Sequence, residues 1–392
     1  MSAIMRTYGR WPVTLVRGQG IHVYDDRGNA YVDFAGGIAC IAIGHSHPEW
    51  VRAVQGQVGT LTHVSNLYAT EPQEELANRL VDIVGFDGQV FFSNSGAEAN
   101  EAALKLARRH GRPKGRTKVV ALHGSFHGRT FASLAATGQP EKHAPFQPLP
   151  EGYVHVPPND VDALDRAVDL QTASVLMEPV LGEGGVVPLD SAFIRAARGL
   201  CDERGALLIL DEIQTGVGRC GTWFAFQQSQ VEPDVVTSAK ALAGGLPIGA
   251  TIARPELAFA RGEHASTFGG GPVVCTAALA VLDVIEKDGL LENCRSQGER
   301  LLSGLNEVLR SAGIDDPARG LGLLVGAPVG AGRAHGVAEG LLERGFLATE
   351  AGPDVVRATP PLTVDTGAID GFLEAFADAL TSVTKASTGV AP

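Results

Sequence analysis

Cysteine is scarce in this 392-residue chain, and its five cysteines are scattered without a CxxC pair. This excludes a disulfide framework and gives no zinc-binding pattern, so reduced thiols in a cytoplasmic protein are expected. Basic residues are also few: 32 Lys and Arg against 44 Asp and Glu give a net charge of −12. Nucleic acid is therefore not an expected partner. No run approaches the ~20 apolar residues of a membrane span, so no membrane partner is expected either.

Glycine, in contrast, is abundant, with 49 residues that cluster at the ends of apolar runs. From about residue 70, short apolar runs alternate with helical patterns. Runs that are apolar throughout are typical of parallel strands covered on both faces. This order predicts an α/β fold with a mostly parallel sheet. The predicted strands of this region are 90–92, 118–122, 174–177, 206–210 and 235–237.

The two ends of the chain have a different pattern. Residues 21–24 and 30–34 predict a hairpin, and a long helix is predicted after Pro272. The C-terminal third predicts a smaller α+β domain. Its predicted helices are 290–311, 333–344 and 366–383, and its predicted strands are 321–325, 346–349 and 355–358. We expect three parts: an N-terminal segment that packs on the small domain (1–35), a large α/β domain (36–283) and the small domain (284–392).

Lys240 is the most informative residue, because it ends the apolar run 232–240 and is followed at once by Gly244 and Gly245. Burial disfavours the ammonium form of a lysine, which makes the amine available as a nucleophile. Lysine amines bind pyridoxal 5′-phosphate (PLP) as a Schiff base. A lone lysine is more often an ordinary surface residue. The PLP interpretation therefore depends on the segments described next.

Asp211 directly follows the four large apolar residues 207–210. The carboxyl ends of parallel strands face the ligand crevice, and a carboxylate beside a buried strand needs a partner. The pyridinium nitrogen of PLP is a suitable one, and Gln214 is placed to donate to the ring hydroxyl oxygen. A helix N-cap or a structural ion pair is the alternative for Asp211.

Three further segments fit a phosphorylated aromatic cofactor. Residues 93–101 follow a strand and open a helix, so they present free N–H groups to a phosphate, although Ser95 is equally suited to be a plain N-cap. In 123–130, Phe126 is placed to stack on a ring and Arg129 to bind a carboxylate; the alternatives are a core aromatic and a solvated charge. Residues 266–272 predict a loop close to an anion, or a hinge.

A metal site is not predicted. Histidines are present near the candidate segments, but their spacing fits no zinc signature and no carboxylate or cysteine completes a ligand set. These histidines are His45, His47, His123 and His127.

Together the segments resemble the class-III, fold-type-I, PLP-dependent aminotransferases, from about residue 8 to residue 380. The resemblance rests on the combination of stretches, each of which is in the expected order. They are FAGGIACIAIGHSHP, SNLYATEPQ, FFSNSGAEANEAALKLAR, SFHGRT, MEPVLGEGG, LLILDEIQTGVGR, SAKALAGGLPIGA, STFGGGP and VRATPPL.

The resemblance implies a role for each candidate residue. Lys240 holds the cofactor and moves the proton, Asp211 pairs with the pyridinium, and Gln214 contacts the ring hydroxyl. Phe126 stacks on the ring. The phosphate is held by Ser95, Gly96, Ala97 and, from the neighbouring subunit, Thr267, which implies a homodimer. The substrate-binding residues are Arg129, Ser266, the gating Glu183 and its partner Arg357.

The resemblance further implies transfer of the δ-amino group of N2-acetylornithine to 2-oxoglutarate, in arginine biosynthesis. Close alternatives are ornithine, succinylornithine or 4-aminobutyrate as the donor, an aminomutase, and a non-catalytic PLP-binding regulator. Three positions depart from the family pattern: Ile41 and Gly271 replace an asparagine, and Ala69 replaces a tyrosine. Ile41 and Ala69 are expected to line the substrate entrance and therefore bear on the choice of donor; none of the three positions belongs to the cofactor set.

Overall fold

The computed structural model describes residues 3–388, so the ends of the predicted first and last domains, 1–2 and 389–392, lie outside the described residues. The α-helices are α1 (Gly36–Ala39), α2 (Pro48–Thr60), α3 (Glu71–Val84), α4 (Gly96–Gly111), α5 (Phe131–Ala136), α6 (Pro140–His143), α7 (Val161–Ala167), α8 (Ser191–Arg204), α9 (Pro272–Lys287), α10 (Leu290–Ser311), α11 (Ala334–Glu343) and α12 (Thr366–Thr388). The strands are β1 (Leu15–Gln19), β2 (His22–Asp25), β3 (Ala30–Asp33), β4 (Gln89–Ser93), β5 (Lys118–Leu122), β6 (Tyr153–Val156), β7 (Thr172–Met177), β8 (Val180–Leu181), β9 (Val187–Pro188), β10 (Leu207–Asp211), β11 (Val235–Ser238), β12 (Gly249–Ala253), β13 (Arg319–Leu321), β14 (Leu324–Pro328), β15 (Phe346–Leu347), β16 (Thr349–Glu350) and β17 (Val355–Ala358).

A seven-stranded sheet in the order β4-β12-β11-β10-β7-β5-β6 forms the centre of the molecule. Its pairs from β11 to β6 are parallel, while β12 runs antiparallel to both of its neighbours. The reversal of β12 follows from its connection, because the short segment 239–248 is too small for a parallel crossover. That segment carries Lys240. The predicted α/β fold with a mostly parallel sheet is confirmed.

Successive residues of the central strands face two different hydrophobic layers. Leu207 and Ile209 pack in a cluster with the apolar face of α4, whereas Leu208 and Leu210 join the larger core that includes α8. Because both faces are covered, β10 is buried along its whole length. This explains why the strand is apolar throughout and why the polar Asp211 appears only at its end.

The C-terminal part contains α10, α11 and α12 with the sheet β13-β14-β17-β16. The predicted strand 321–325 is wrong: the chain turns at Gly322, with φ +54, between the antiparallel β13 and β14. Glycine adopts this left-handed conformation at no steric cost. The predicted strand 346–349 is also divided, since β15 and β16 belong to different sheets.

The N-terminal hairpin is joined by a strand from far along the chain. β2 and β3 pair antiparallel, as predicted, and β15 adds to β3 in parallel. The pairing places the N-terminal segment against the C-terminal part, while the division into three domains stays a prediction. Within residues 3–388, no helix has the length and apolar character needed to cross a membrane.

Candidate active site

A cavity of about 420 Å³ opens where β10 and β11 end and α4 begins. It brings together residues that are distant in the sequence, such as Ser95 and Lys240, which are 145 positions apart. Eight of the twelve residues singled out from the sequence line it. They are Ser95, Gly96, Ala97, Phe126, Arg129, Asp211, Gln214 and Lys240.

Lys240 begins a short 3-10 turn two residues after the end of β11. Its backbone has φ +39, in the left-handed region that non-glycine residues rarely adopt. Such strain persists where the surrounding structure imposes it, and it is concentrated at functional sites. Burial lowers the pKa of the Lys240 amine, while the charge of Glu183 opposes this shift. The neutral, nucleophilic form is therefore more accessible than in an exposed lysine.

Asp211 is held from behind by two side chains. Asn100 Nδ2 donates to its Oδ2 at 2.7 Å, and His127 Nδ1 lies 2.7 Å from the same oxygen. Thr237 Oγ1 donates to Asn100 Oδ1 at 2.8 Å, which fixes the orientation of the amide. The Ile213 N–H donates to the other carboxylate oxygen at 3.1 Å. The carboxylate is thus fixed in one orientation at the cavity wall.

Glu178 adds a second carboxyl group to this buried set. It accepts hydrogen bonds from the N–H groups of Phe126, at 2.8 Å, and Gly182, at 3.2 Å. Burial raises the pKa of Glu178, and the charge of Asp211 raises it further, while His127 acts in the opposite direction. The Nε2 atom of His127 is buried and has no hydrogen-bond partner within the described part of the chain.

The turn before α4 supplies free donors. Ser95 is the N-cap, and its hydroxyl accepts from the Glu98 N–H at 3.2 Å, so the N–H groups of Gly96 and Ala97 remain without an intrahelical partner. The turn is closely packed, because a Cβ at Gly249 would lie 2.3 Å from the Ser95 carbonyl oxygen. Free N–H groups and the positive end of a 16-residue helix suit a phosphate.

Arg357 lies beside the cavity and is almost fully buried, with 1% exposure. Its Nη1 donates to Glu183 Oε1 at 2.5 Å, to the Gly182 carbonyl at 3.0 Å and to Gln214 Oε1 at 3.1 Å. Its Nε donates to Thr349 Oγ1 at 3.1 Å. Although burial raises the pKa of Glu183, Arg357 outweighs this effect and lowers it, so Glu183 is charged.

The remaining sequence-predicted residues divide into two groups. Arg129 is exposed, and its guanidinium carbon lies 5.5 Å from the centre of the Phe126 ring at the same cavity. Ser266 and Thr267 line a separate cavity of about 840 Å³. The Ser266 hydroxyl nevertheless accepts from Asn94 Nδ2 at 3.3 Å, and Asn94 lines the first cavity.

Sequence reasoning missed four residues: His127 and Glu178, which line the cavity, and Asn100 and Thr237, which lie behind it. His127 was considered only as a metal ligand. A signal existed for Asn100, because a polar residue one helical turn after Gly96 faces the sheet among alanines. Its contact with Asp211 spans 111 positions, however, and only the three-dimensional structure reveals it.

The donor set fits PLP. The cavity offers an amine with a lowered pKa, a fixed carboxylate for a pyridinium nitrogen, an aromatic face and a helix N-terminus for a phosphate. These four groups match the four chemical parts of the cofactor.

The comparison with known proteins agrees with this fit. The model of the family described as aminotransferase class-III matches residues 3–380, so the chain belongs to the class-III aminotransferase family. Enzymes of this family are PLP-dependent aminotransferases, and the present chain is one of them.

Individual relatives of the chain have names that specify a substrate. The acetylornithine aminotransferase of Mycobacterium tuberculosis is 49% identical over 378 residues, covering 95% of this chain and 93% of the relative. That of Streptomyces coelicolor is 46% identical over 389 residues, covering 98% and 95%. Among solved structures, the N-acetylornithine aminotransferase of Stenotrophomonas maltophilia has a TM-score of 0.84 at 36% identity, covering 97% of this chain and 98% of that one. The ornithine aminotransferase of Toxoplasma gondii has a TM-score of 0.93 at 29% identity, covering 98% and 94%.

Proposed function

We propose that this enzyme transfers the δ-amino group of N2-acetylornithine to 2-oxoglutarate, giving N-acetylglutamate 5-semialdehyde and glutamate in arginine biosynthesis. The observation that carries the proposal is the ion pair of Arg357 with Glu183 beside the cavity of Lys240. The donor and the acceptor differ in their number of free carboxylates, and a masked arginine distinguishes them. The relatives named acetylornithine aminotransferase, at 44–49% identity, support this donor.

Lys240 is the proposed catalytic residue. PLP, when bound, supplies an aldehyde that condenses with amines and a ring that takes up the electron pair of a broken C–H bond. Lys240 Nζ holds the cofactor at rest. When it is not bound to the cofactor, Nζ would act as the base that takes the proton from the carbon bearing the donor amine. The lowered pKa favours this base form.

The other cavity residues orient the cofactor and balance its charge. With PLP bound, Asp211 would keep the pyridine nitrogen protonated and Gln214 would contact the ring hydroxyl. Phe126 covers one face of the ring. Ser95 and the N–H groups of the following two residues, Gly96 and Ala97, hold the phosphate at the start of α4.

Arg129 and Arg357 divide the recognition of carboxylates. Arg129, at the open side of the cavity, binds the distal carboxylate of the amino donor. During that half-reaction Glu183 masks Arg357, which prevents donors from binding by the wrong end. In the second half-reaction 2-oxoglutarate brings two carboxylates, Glu183 moves away, and Arg357 binds one of them.

A homodimer completes the site in this proposal. Ser266 and Thr267 line a different cavity from Lys240, so Thr267 serves the phosphate of the neighbouring subunit, and Ser266 contributes to substrate binding. The surrounding surface supports association: Leu67 and Phe268 are 84% and 65% exposed. Asn66 ties their two loops together through bonds of 3.0 Å to the carbonyls of Ser266 and Gly269.

The location is proposed to be the cytoplasm, where the reduced state expected of the cysteines is maintained. The division into an N-terminal segment (1–35), a large domain (36–283) and a small domain (284–392) is proposed with it.

Reduction with borohydride tests the attachment site. Peptide mapping of the reduced holoprotein should find the pyridoxyl group on Lys240, and Lys240→Ala should lose both the tag and turnover. Lys287→Ala, which changes an exposed lysine that does not line the cavity, is the control. A tag on any other lysine contradicts the proposed site.

A panel of amino donors tests which substrate the enzyme prefers. We expect kcat/KM to be highest for N-acetylornithine among N-acetylornithine, ornithine, succinylornithine and 4-aminobutyrate, with 2-oxoglutarate as acceptor. A higher kcat/KM for 4-aminobutyrate or ornithine would replace the proposed donor while leaving the aminotransferase chemistry intact.

A further inference from the structure

The carboxamide of Gln214 lies where the cavity meets the ion pair of Glu183 and Arg357. It lines the cavity together with Lys240, and its Oε1 accepts a hydrogen bond of 3.1 Å from Arg357 Nη1. Only 5% of Gln214 is exposed, so water does not compete for this contact. One side chain thus touches both the cofactor cavity and the gate.

The hydrogen bonds of Arg357 are unevenly distributed over its guanidinium. Nη1 has three acceptors within 3.1 Å, which are Glu183 Oε1, the Gly182 carbonyl and Gln214 Oε1, although it carries only two hydrogens. If Glu183 leaves, the two remaining acceptors match the two hydrogens. Nη2 has no hydrogen-bond partner in residues 3–388, which leaves it for a ligand.

Gly182 is the position that makes room for this arrangement. A Cβ built there would lie 2.2 Å from Gln214 Oε1 and 2.5 Å from Gln214 Cδ. The backbone of Gly182 does not have a positive φ, so alanine is compatible with its conformation. An alanine at this position would therefore displace the Gln214 carboxamide rather than strain the loop.

We propose that Gln214 and the Gly182 carbonyl hold Arg357 in place while Glu183 is away, so that both positions determine selectivity for a dicarboxylate. With Glu183 in contact, the ion pair itself fixes the guanidinium, and the donor half-reaction does not depend on Gln214 for this purpose. Without Glu183, an unfixed guanidinium has to be ordered by the incoming carboxylate, which lowers affinity. This inference rests on the proposed function, because it assigns Arg357 to 2-oxoglutarate.

Gly182→Ala and Gln214→Ala test the inference in the holoprotein. The first readout is the affinity of glutarate, an unreactive dicarboxylate, by isothermal titration calorimetry. The second is the rate of each half-reaction, followed separately by the absorbance of the bound cofactor. Gly199→Ala is the matched control, because no atom lies within 4 Å of a Cβ at that helical position.

We expect both variants to bind glutarate about tenfold more weakly, as the loss of one hydrogen bond to a charged group predicts. The 2-oxoglutarate half-reaction should slow by about the same factor relative to the donor half-reaction. If Gly182→Ala does not fold, Gln214→Ala alone gives the ratio of the two half-reaction rates.

Equal slowing of both half-reactions, or unchanged glutarate affinity, would overturn the inference, because a role confined to the cofactor affects both halves alike. The proposed function fails differently. If the unmodified protein reacts with another terminal-amine donor but not with N-acetylornithine, the donor assignment is wrong, and the same ratio still tests Gln214 and Gly182.

Discussion

Asp211 shows how a single residue acquires a role from partners that are distant in sequence. Its Oδ2 atom receives hydrogen bonds from Asn100 and is in contact with His127 Nδ1, and both partners are buried. Asn100 is fully buried, so its amide donor is left without this partner if the carboxylate is removed. Unpaired buried donors are costly, so Asp211 affects the stability of the cavity wall as well as its charge.

Replacement of Asp211 tests this double role. Asp211→Ala should weaken PLP binding by about 10- to 100-fold, since a hydrogen bond to a charged group is lost, and should slow turnover strongly. Asp211→Asn keeps the shape and should retain more stability than alanine while still losing activity. Fluorescence titration with PLP and thermal unfolding separate the two effects. Near-normal activity in both variants contradicts the pyridinium role.

Two buried carboxyl groups near the cavity predict a pH dependence. Burial raises the pKa of Glu212 from 4.5 to about 7, and burial also raises that of Glu178. Between pH 4.5 and about 7 the native state binds more protons than the unfolded chain. The contribution of these groups to the free energy of unfolding therefore decreases as the pH rises through this window.

Infrared spectroscopy of the protein measures the protonation of these carboxyl groups directly. A carbonyl band of protonated carboxyl groups should persist at pH 6 and disappear at about pH 7 to 8. Glu178→Gln and Glu212→Gln should each remove part of the band. A band that is already absent at pH 6 would show that both groups are ionised and that burial is offset by other contacts.

At the scale of elements, the connections after the central strands carry the residues proposed for the chemistry. β10 ends in Asp211, β11 leads to Lys240, and β4 leads to the turn at Ser95. The strands were predictable because burial on both faces requires uninterrupted apolar residues. The reversed direction of β12 was not, because it depends on the length of the connection, and the turn at Gly322 was hidden within an apolar run.

The site was predictable to the extent that each residue is marked by its place next to a strand end. Lys240, Asp211 and Ser95 all have such a local signal. Glu178 also stands at a strand end, directly after β7, but the sequence did not mark it as part of the site. Asn100 lacks this signal, because its importance comes from a hydrogen bond to a group on another element. Local sequence describes an element, whereas contacts between elements depend on how the sheet brings them together.

The packing of β12 against the turn before α4 gives an element-scale prediction. Gly249→Ala should push the Ser95 carbonyl away, because the added Cβ would lie 2.3 Å from it. The free N–H groups at the start of α4 would be misplaced, and PLP should bind more weakly. Gly56→Ala in α2, where a Cβ meets no atom within 4 Å, should leave the affinity unchanged. Equal affinity of the two variants would show that this turn does not hold the phosphate.

At the scale of the whole molecule, the exposed apolar surface around Leu67, Tyr68 and Phe268 makes the proposed homodimer testable. Analytical ultracentrifugation should give twice the chain mass of 40.9 kDa. Phe268→Glu should shift the mass to one chain and weaken PLP binding, because Thr267 no longer reaches the phosphate of the partner subunit. Leu170→Glu alters a residue that is 71% exposed in another loop and should remain dimeric. A Phe268→Glu dimer with normal PLP affinity contradicts the shared site.

Arg357 belongs to β17 of the C-terminal sheet, whereas Glu183 and Gln214 follow β8 and β10. The guanidinium proposed to bind a carboxylate and the acceptors that contact it are therefore contributed by separate parts of the molecule. Thermodynamic linkage then works in both directions. A ligand on the guanidinium favours the placement in which Gln214 and the Gly182 carbonyl hold Arg357, and a change that separates Arg357 from these two acceptors weakens ligand binding. Amide hydrogen exchange in β17 therefore reports how far Arg357 is saturated with the second substrate. We expect this exchange to slow as the concentration of that substrate rises.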